Sequence, residues 1–199
     1  MLLNFHKLKN KYRMKVTGAI VAGASTGQEH NTYKLANIDK IAYFEPMKEA
    51  FKKLQEKVCS GVSVYNYALS NFNGQSEMYI ANNQQSSSLL FPVEHLKQHP
   101  DVKFTHKEIV EVRKLDDVLD TNYNLLVMDI QGGEGNLIDG ASRTLEGIDY
   151  VYTEVNTIQL YKDCVLLPTL DEKLSKYNLK RVELVMTGSG WGDAFYIKD

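Results

Sequence analysis

The chain has 199 residues, of which 43% are hydrophobic and 24% are charged, and its formal net charge is −2 at pH 7. These values indicate one globular domain with a full hydrophobic core, and they exclude the strong positive charge that general nucleic-acid binding requires. No apolar run approaches the roughly 20 residues that span a bilayer, so we expect no membrane segment.

The first 15 residues are basic, and their apolar stretch is too short for a signal peptide, so they predict a short leading helix or arm. The two cysteines, Cys59 and Cys164, lie far apart and form no CxxC motif. We therefore expect free thiols rather than a disulfide, and a cytoplasmic location.

The first part of the chain alternates between strand and helix patterns. The apolar run 16–22 predicts a buried strand, and residues 28–37 predict the helix that follows a glycine turn. A second strand is predicted over 40–46. Pro46 suits the first position of the next helix, because no amide hydrogen bond is lost there. The run VSVYNYALS (62–70) predicts a third strand.

Residues 71–120 interrupt this alternation and predict a β-rich insertion within a single domain that spans 1–199. Asn73-Gly74 is a hairpin turn signal, and the alternating residues after it predict a strand. A short helix is expected around residues 94–98. The polar segment 82–90 lacks periodicity, and we expect it to be a lid over a binding site.

Strand and helix patterns alternate again after residue 120. Two further buried strands are predicted over 124–130 and 149–156, and two helices over 134–147 and 166–178. Two closing strands are predicted over 180–186 and 193–198. The short turn between the closing strands forces them to be antiparallel. The predicted fold class is an α/β sandwich with a mostly parallel sheet and an antiparallel C-terminal hairpin.

Three features fall at the carboxyl edge of this sheet, where such folds bind ligands. Gly23 and Gly27 permit a tight turn that approaches a ligand closely. Glu45 ends the second strand, where a carboxylate can accept both hydroxyls of a ribose, and Asp129 ends the fourth. The turn lacks the glycine that a pyrophosphate needs, which favours a cofactor without phosphates over NAD. A glycine turn alone is equally compatible with simple packing.

Eight segments occur in the order and spacing of FkbM-type S-adenosylmethionine-dependent methyltransferases: VAGASTGQE, YFEP, YNYALSNFNG, SSSLL, LDDVL, MDIQGGEGNLIDGA, YTEVN and DAFYIK. The chain resembles this family from about Val16 to its C-terminus. The resemblance implies a seven-stranded, Rossmann-like class I methyltransferase fold with S-adenosylmethionine as the methyl donor. It also implies O-methylation of a sugar or another small hydroxyl acceptor.

Site residues are carried over from the resemblance position by position. The expected cofactor contacts are Gly23, Ala24, Gly27, Glu45, Pro46, Ala68, Leu69, Ser70, Asp129 and Gln131. The catalytic candidates, as proton acceptors, are Asp129, Glu134 and Glu154. The acceptor side is expected to include Ser87, Ser88 and Asn156. Glu134 fits equally well as a charge at a helix N-terminus.

His95 and His99 have the i,i+4 spacing of some metal sites, but no carboxylate motif accompanies them. We therefore expect a solvated surface helix and no metal.

Two other functions remain open from the sequence. Val21 and Ser25 stand where family members carry an acid or histidines, which favours a catalytically impaired or non-catalytic binding module as the first alternative. The second alternative is an NAD-dependent oxidoreductase. The expected partner is a small-molecule or glycan acceptor, without nucleic acid or membrane, and the oligomeric state is left open.

Overall fold

The computed structural model of the chain describes residues 1–58, 61–120 and 122–199, and the prediction for Cys59 lies outside the described residues. The helices are α1 (Phe5–Lys11), α2 (His30–Leu35), α3 (Lys48–Lys57), α4 (His95–Gln98), α5 (Glu134–Asp139), α6 (Ser142–Leu145) and α7 (Leu167–Ser175), with a short 3-10 helix at Leu115–Asp117. The strands are β1 (Ala19–Ala22), β2 (Ile41–Phe44), β3 (Val62–Tyr65), β4 (Ala68–Leu69), β5 (Gly74–Ala81), β6 (Phe104–Arg113), β7 (Leu125–Met128), β8 (Tyr150–Asn156), β9 (Leu179–Met186) and β10 (Trp191–Lys198).

Seven strands form one sheet in the order β3-β2-β1-β7-β8-β10-β9. The pairs from β3 to β8 are parallel, whereas β10 runs antiparallel to both of its neighbours. The predicted α/β class, the mostly parallel seven-stranded sheet and the antiparallel C-terminal hairpin are therefore confirmed. The sheet order reverses at β1, which has β2 on one side and β7 on the other.

The central strands are buried on both faces, as parallel strands between helical layers are. All four residues of β1 are buried. Ile20 and Ala22 pack into the core on one face, and Ala19 and Val21 pack into the core on the other. Because alternate side chains of a strand point to opposite faces, this short apolar run packs into the hydrophobic cores on both sides of the sheet.

The predicted third strand over 62–70 is wrong as a single element. Residues 62–65 form β3 of the large sheet, and β4 belongs to a separate three-stranded sheet with the order β4-β6-β5. The change of direction occurs at Asn66, whose side-chain amide donates to the backbone oxygens of Glu45 at 2.8 Å and Pro46 at 2.9 Å. A hydrogen bond from a side chain to the backbone can take the place of the hydrogen bonds between neighbouring strands.

The hairpin predicted at Asn73-Gly74 is also wrong, because β6 lies between β4 and β5. The Asn73 side chain instead accepts from the backbone N–H of Lys114 at 2.8 Å and donates to Asp117 at 2.7 Å. The predicted strand after Gly74 and the short helix near residue 95 are confirmed as β5 and α4.

Two helix predictions differ from the structure. The single helix over 134–147 is divided into α5 and α6 at Gly140, where a Cβ would overlap the backbone oxygen of Ser70. Pro46 precedes Met47, the N-cap of α3, rather than occupying the first helical position.

Within the described ranges, none of the helices has the length and apolar character needed to cross a bilayer.

Candidate functional site

Two adjoining cavities open at the carboxyl edge of the large sheet, beside the point where the strand order reverses. The larger has a volume of about 380 Å³ and the smaller a volume of about 160 Å³. Both are lined by Ala22, Gly23, Ser25, Gln85, Asp129 and Gln131. The loops that follow β1 and β7 therefore form the boundary between the two cavities, at the position where open α/β sheets bind ligands.

The loop after β1 approaches the end of β7 very closely at Gly23. Gly23 has a φ of +80°, and a Cβ on it would overlap the backbone oxygen of Asp129. The backbone N–H groups of Gly23 and Ala24 both donate to the backbone oxygen of Phe44 in β2, each at 3.0 Å. Glycine is the residue that permits both the left-handed conformation and the contact.

Glu45 places a carboxylate in the smaller cavity, which Asp129 also lines. The Glu45 side chain is only 3% exposed, and its two oxygens accept the backbone N–H groups of Ser25 and Met47, each at 2.8 Å. Burial raises the pKa of Glu45 to about 7, although these two bonds oppose the rise. A carboxylate oxygen can accept more than one hydrogen bond, so Glu45 can also accept from a ligand.

The rest of the smaller cavity is mostly apolar. The expected residues Pro46, Ala68, Leu69 and Ser70 line it together with Phe44, Met47, Tyr67, Phe72, Met78, Leu89 and Leu90. Part of this wall comes from the three-stranded sheet, which packs on the start of α3 through Met78 and Val112 against Met47. The region 71–120 therefore supplies a wall of the smaller cavity.

Gln131 organises the acidic side of the larger cavity. Its amide nitrogen donates to Asp129 at 2.8 Å and to Glu154 at 3.0 Å, and its amide oxygen lies 3.0 Å from the hydroxyl of Tyr161. The backbone oxygen of Gln131 accepts from Ser88 at 2.7 Å. Gln131 also has a φ of +55°, a left-handed conformation that is uncommon for a residue other than glycine.

The two carboxylates held by Gln131 influence each other. Burial raises the pKa of Asp129 and, more strongly, that of Glu154, and the negative charge of Asp129 raises the pKa of Glu154 further. Because the charge of Asp129 acts on Glu154, the two carboxylates titrate as a pair rather than independently. A positively charged ligand group beside the pair would favour its ionised form.

Three of the expected site residues lie outside both cavities. Glu134 is 1% exposed, and its carboxylate accepts the backbone N–H of Ile130 at 3.1 Å, so it supports the loop after β7. Burial raises its pKa to about 7. Ser88 is used in the bond to Gln131. The amide nitrogen and oxygen of Asn156 are buried and have no hydrogen-bond partner among the described residues.

The polar segment 82–90 lies over the boundary of the two cavities. Asn83, Gln85 and Ser86 line the larger cavity, whereas Gln84, Gln85 and the expected Ser87 line the smaller one. The segment is tied to the site because the hydroxyl of Tyr161 lies 2.9 Å from the backbone oxygen of Ser86. Its buried serines distinguish it from an ordinary exposed connection.

Val21 lines the larger cavity as an apolar residue that is 4% exposed. The side chain of Asp129, on the neighbouring strand end, brings a carboxylate to the same cavity. Gly27, with a φ of +69°, lines this cavity as well.

The larger cavity also contains side chains that the sequence interpretation missed. His95 is 4% exposed and lines this cavity, so the prediction of a solvated surface position was wrong for it. Asp193 of β10 lies opposite Glu154 of β8 in the sheet and accepts from the hydroxyl of Tyr152 at 2.7 Å. Trp191 lines the cavity from the start of β10. No local pattern signals these positions, because each depends on packing between distant parts of the chain.

Comparison with known proteins gives one curated relative and many similar folds. The 2-O-methyltransferase NoeI of Sinorhizobium fredii is 28% identical to the chain over an alignment that covers 68% of this chain. The chain spans 61% of the length of that relative.

Two solved methyltransferase structures resemble the chain. The methyltransferase FkbM of Methylobacillus flagellatus matches with a TM-score of 0.61 and 16% identity, covering 91% of this chain and 43% of that one. Magnesium protoporphyrin IX methyltransferase of Synechocystis, with bound SAM, matches with a TM-score of 0.58 and 8% identity, covering 98% of this chain and 76% of that one. At these identities the likeness shows a shared fold.

The family comparison covers most of the sequence. The family model described as the methyltransferase FkbM domain matches residues 22–181, which include both loops at the cavity boundary, Glu45 and the Asp129–Gln131–Glu154 group. The chain therefore belongs to the FkbM methyltransferase domain family.

Proposed function

We propose that the chain is an S-adenosylmethionine-dependent methyltransferase that O-methylates a sugar or another small hydroxyl acceptor. The observation that carries the proposal is the pair of cavities that meet at Gly23 and Asp129, with the buried carboxylate of Glu45 in the smaller one. A divided site of this kind suits a ligand with an adenosine part and a charged amino-acid part. The family match and the 2-O-methyltransferase relative support this proposal.

The smaller cavity would hold the adenosine part. Its apolar side chains, Tyr67, Phe72 and Met78 among them, can cover a flat base, and Glu45 can accept the two ribose hydroxyls. Ala68, Leu69 and Ser70 would form the side of the base pocket. We assign Gly23, Ala24 and Gly27 to the methionine part, because they continue from this pocket into the larger cavity.

The larger cavity would hold the cationic end of the cofactor together with the acceptor. Bound S-adenosylmethionine supplies an electrophilic methyl group on a sulfonium. Asp129 and Glu154, fixed by Gln131, place negative charge beside the cationic end and supply the carboxylate that Val21 lacks. Glu134 acts as a positioning residue that holds the loop after β7. The protein then contributes mainly by orienting the two reactants.

The segment 71–120 completes the site within one domain in this proposal. It provides the three-stranded sheet beside the smaller cavity and, through residues 82–90, the cover of the boundary between the cavities. Ser87 would face the bound cofactor rather than the acceptor, because it lines the smaller cavity.

Isothermal titration with S-adenosylhomocysteine tests the proposal, followed by an assay of methyl transfer to a panel of p-nitrophenyl glycosides and small alcohols. We expect binding in the micromolar range and transfer to at least one acceptor. Absence of binding at millimolar ligand would overturn the proposal. Binding of the cofactor without transfer would favour a non-catalytic binding module, and stabilisation by NAD alone would favour an oxidoreductase.

A further inference from the structure

His95 is a buried histidine in the wall of the larger cavity, and its backbone is fixed there. The backbone N–H groups of Val93 and His95 both donate to the backbone oxygen of Leu160, at 2.9 Å and 3.1 Å. This contact docks α4 on the segment that follows β8. A histidine on so short a helix would otherwise face solvent, so the docking itself places the ring at the cavity.

The His95 ring packs against other rings, but its buried nitrogen makes no hydrogen bond within the described part of the chain. Its Nδ1 is buried without a hydrogen-bond partner among the described residues. His30 shows the contrasting case, because its Nδ1 lies 3.1 Å from the hydroxyl of Tyr43 in the core. A buried polar atom that lacks a partner costs about 1–3 kcal/mol, so its presence at a cavity calls for a functional explanation.

The surroundings of His95 keep its ring neutral. The nearest rings are those of His99 at 4.8 Å, Tyr161 at 5.2 Å and Phe104 at 5.7 Å between centroids. Burial, and then the proximity of His99, lower the pKa of His95 to about 4. A neutral imidazole at physiological pH has one nitrogen that can accept a proton.

The acidic residues of the same cavity are already engaged. Gln131 donates to both Asp129 and Glu154, and Asp193 accepts from Tyr152 and from the backbone N–H groups of Leu2 and Leu3. Tyr161 connects the two sides, because its ring packs on His95 and its hydroxyl lies 3.0 Å from Gln131. The His95 ring is thus a basic group next to this acidic network, together with His99, which lines the same cavity.

We propose that His95 accepts the hydroxyl proton of the acceptor during methyl transfer, an inference that rests on the proposed function. The acceptor oxygen forms a bond to the methyl carbon while the carbon–sulfur bond breaks, and the electron pair of that bond remains on sulfur as a neutral thioether. The hydroxyl proton passes to the neutral imidazole of His95, which later releases it to solvent. The proton becomes strongly acidic as its oxygen is alkylated to an oxonium, so it can pass to the neutral imidazole while the carbon–oxygen bond forms.

An NMR comparison of two cofactor analogues tests the position of His95 without an acceptor. Sinefungin carries an amine where the methyl sulfonium of S-adenosylmethionine would be, whereas S-adenosylhomocysteine has no group there. Among the signals of the five histidines, the imidazole carbon signals of His95 and His106 are assigned with His95→Gln and His106→Gln variants. His106, an exposed residue of β6, serves as the matched control.

We expect sinefungin to shift the His95 signals well beyond the shift caused by S-adenosylhomocysteine, while the His106 signals stay unchanged. The His95→Gln variant should bind S-adenosylhomocysteine within about 3-fold of the wild type but lose about 10-fold in sinefungin affinity, as expected for one charged hydrogen bond. With any acceptor that the wild type methylates, its kcat should fall by about 10²- to 10⁴-fold.

The outcomes separate this inference from the proposed function. If both analogues bind and leave the His95 signals identical, the inference is overturned and the proposed function stands. A His95→Gln variant that keeps its kcat within about 3-fold would overturn it as well. If neither analogue binds, the proposed function fails and the inference fails with it.

Discussion

The backbone N–H of Ser25 donates to the carboxylate of Glu45 at 2.8 Å, so the loop after β1 is joined to the end of β2 across the smaller cavity. The other Glu45 oxygen accepts the N–H of Met47 at the start of α3. One carboxylate therefore orders two parts of the cavity wall and still has lone pairs that can accept from a ligand. This arrangement makes Glu45 the sharpest test of the proposed adenosine site.

Replacing Glu45 with glutamine should weaken the binding of S-adenosylhomocysteine by about 10- to 100-fold, because hydrogen bonds to a charged group contribute about 1.5–3 kcal/mol. Isothermal titration measures the change directly. Glu49→Gln, on the exposed face of α3, is the matched control and should bind like the wild type. Equal affinities for the two variants would show that the ribose is not held by Glu45.

The affinity for S-adenosylhomocysteine should also depend on pH through Glu45. Burial raises the pKa of this carboxyl to about 7, so lowering the pH from 8 to 6 converts most of it to the protonated form. The ionised form is the better acceptor for ribose hydroxyls, and we expect the affinity to fall by up to about tenfold over this range. The dependence should be much weaker in Glu45→Gln, and a wild-type affinity that is constant from pH 6 to 8 would contradict the assignment.

A Gln131→Ala variant should be less stable than the wild type by about 2–5 kcal/mol. The partly buried Asp129 and the buried Glu154 would lose their shared donor, and a fully buried acceptor left without a partner costs about 1–3 kcal/mol. Denaturant unfolding at several pH values measures the effect. The control is Gln55→Ala on the exposed side of α3, which should change stability by less than about 0.5 kcal/mol.

The loss in Gln131→Ala should grow as the pH rises. Burial raises the pKa of both carboxyls above their ordinary values, so their contribution to stability is fully present at low pH, where they are protonated, and declines as they ionise. Without the amide of Gln131, the ionised carboxylates of Asp129 and Glu154 lack their donor, so their ionisation lowers the free energy of unfolding further. A larger loss at pH 5 than at pH 8 would contradict this view of the pair.

The sequence predicts those parts of the fold that depend on local patterns. The apolar runs at β1, β2, β7 and β8 identify buried strands, and a parallel sheet brings their carboxyl ends together. That reasoning alone places Glu45 and Asp129 at one edge. The family resemblance adds Gln131, whose bonds to Asp129 and Glu154 could be seen only in three dimensions.

The remaining features depend on contacts between distant segments. His95 looks like a surface residue because α4 is a polar four-residue helix, and only its docking on Leu160 buries the ring. Asp193 is part of the acidic cavity because of its register opposite Glu154. The single strand predicted over 62–70 is broken by the Asn66 side chain, whose partners lie about 20 residues earlier in the chain. Propensity and periodicity carry no information about such pairings.

The contact between the loops after β1 and β7 predicts that Gly23→Ala disrupts the site. A Cβ at Gly23 would overlap the backbone oxygen of Asp129, and alanine is strained at a φ of +80°, so the two loops must move apart. We expect a loss of at least about 2 kcal/mol in unfolding free energy, together with loss of S-adenosylhomocysteine binding. Thermal unfolding and titration measure the two effects. Gly188→Ala, in the turn before β10, meets open space and should leave both unchanged. Because the two variants add the same methyl group, similar behaviour in both would show that the close approach of the loops does not determine the site.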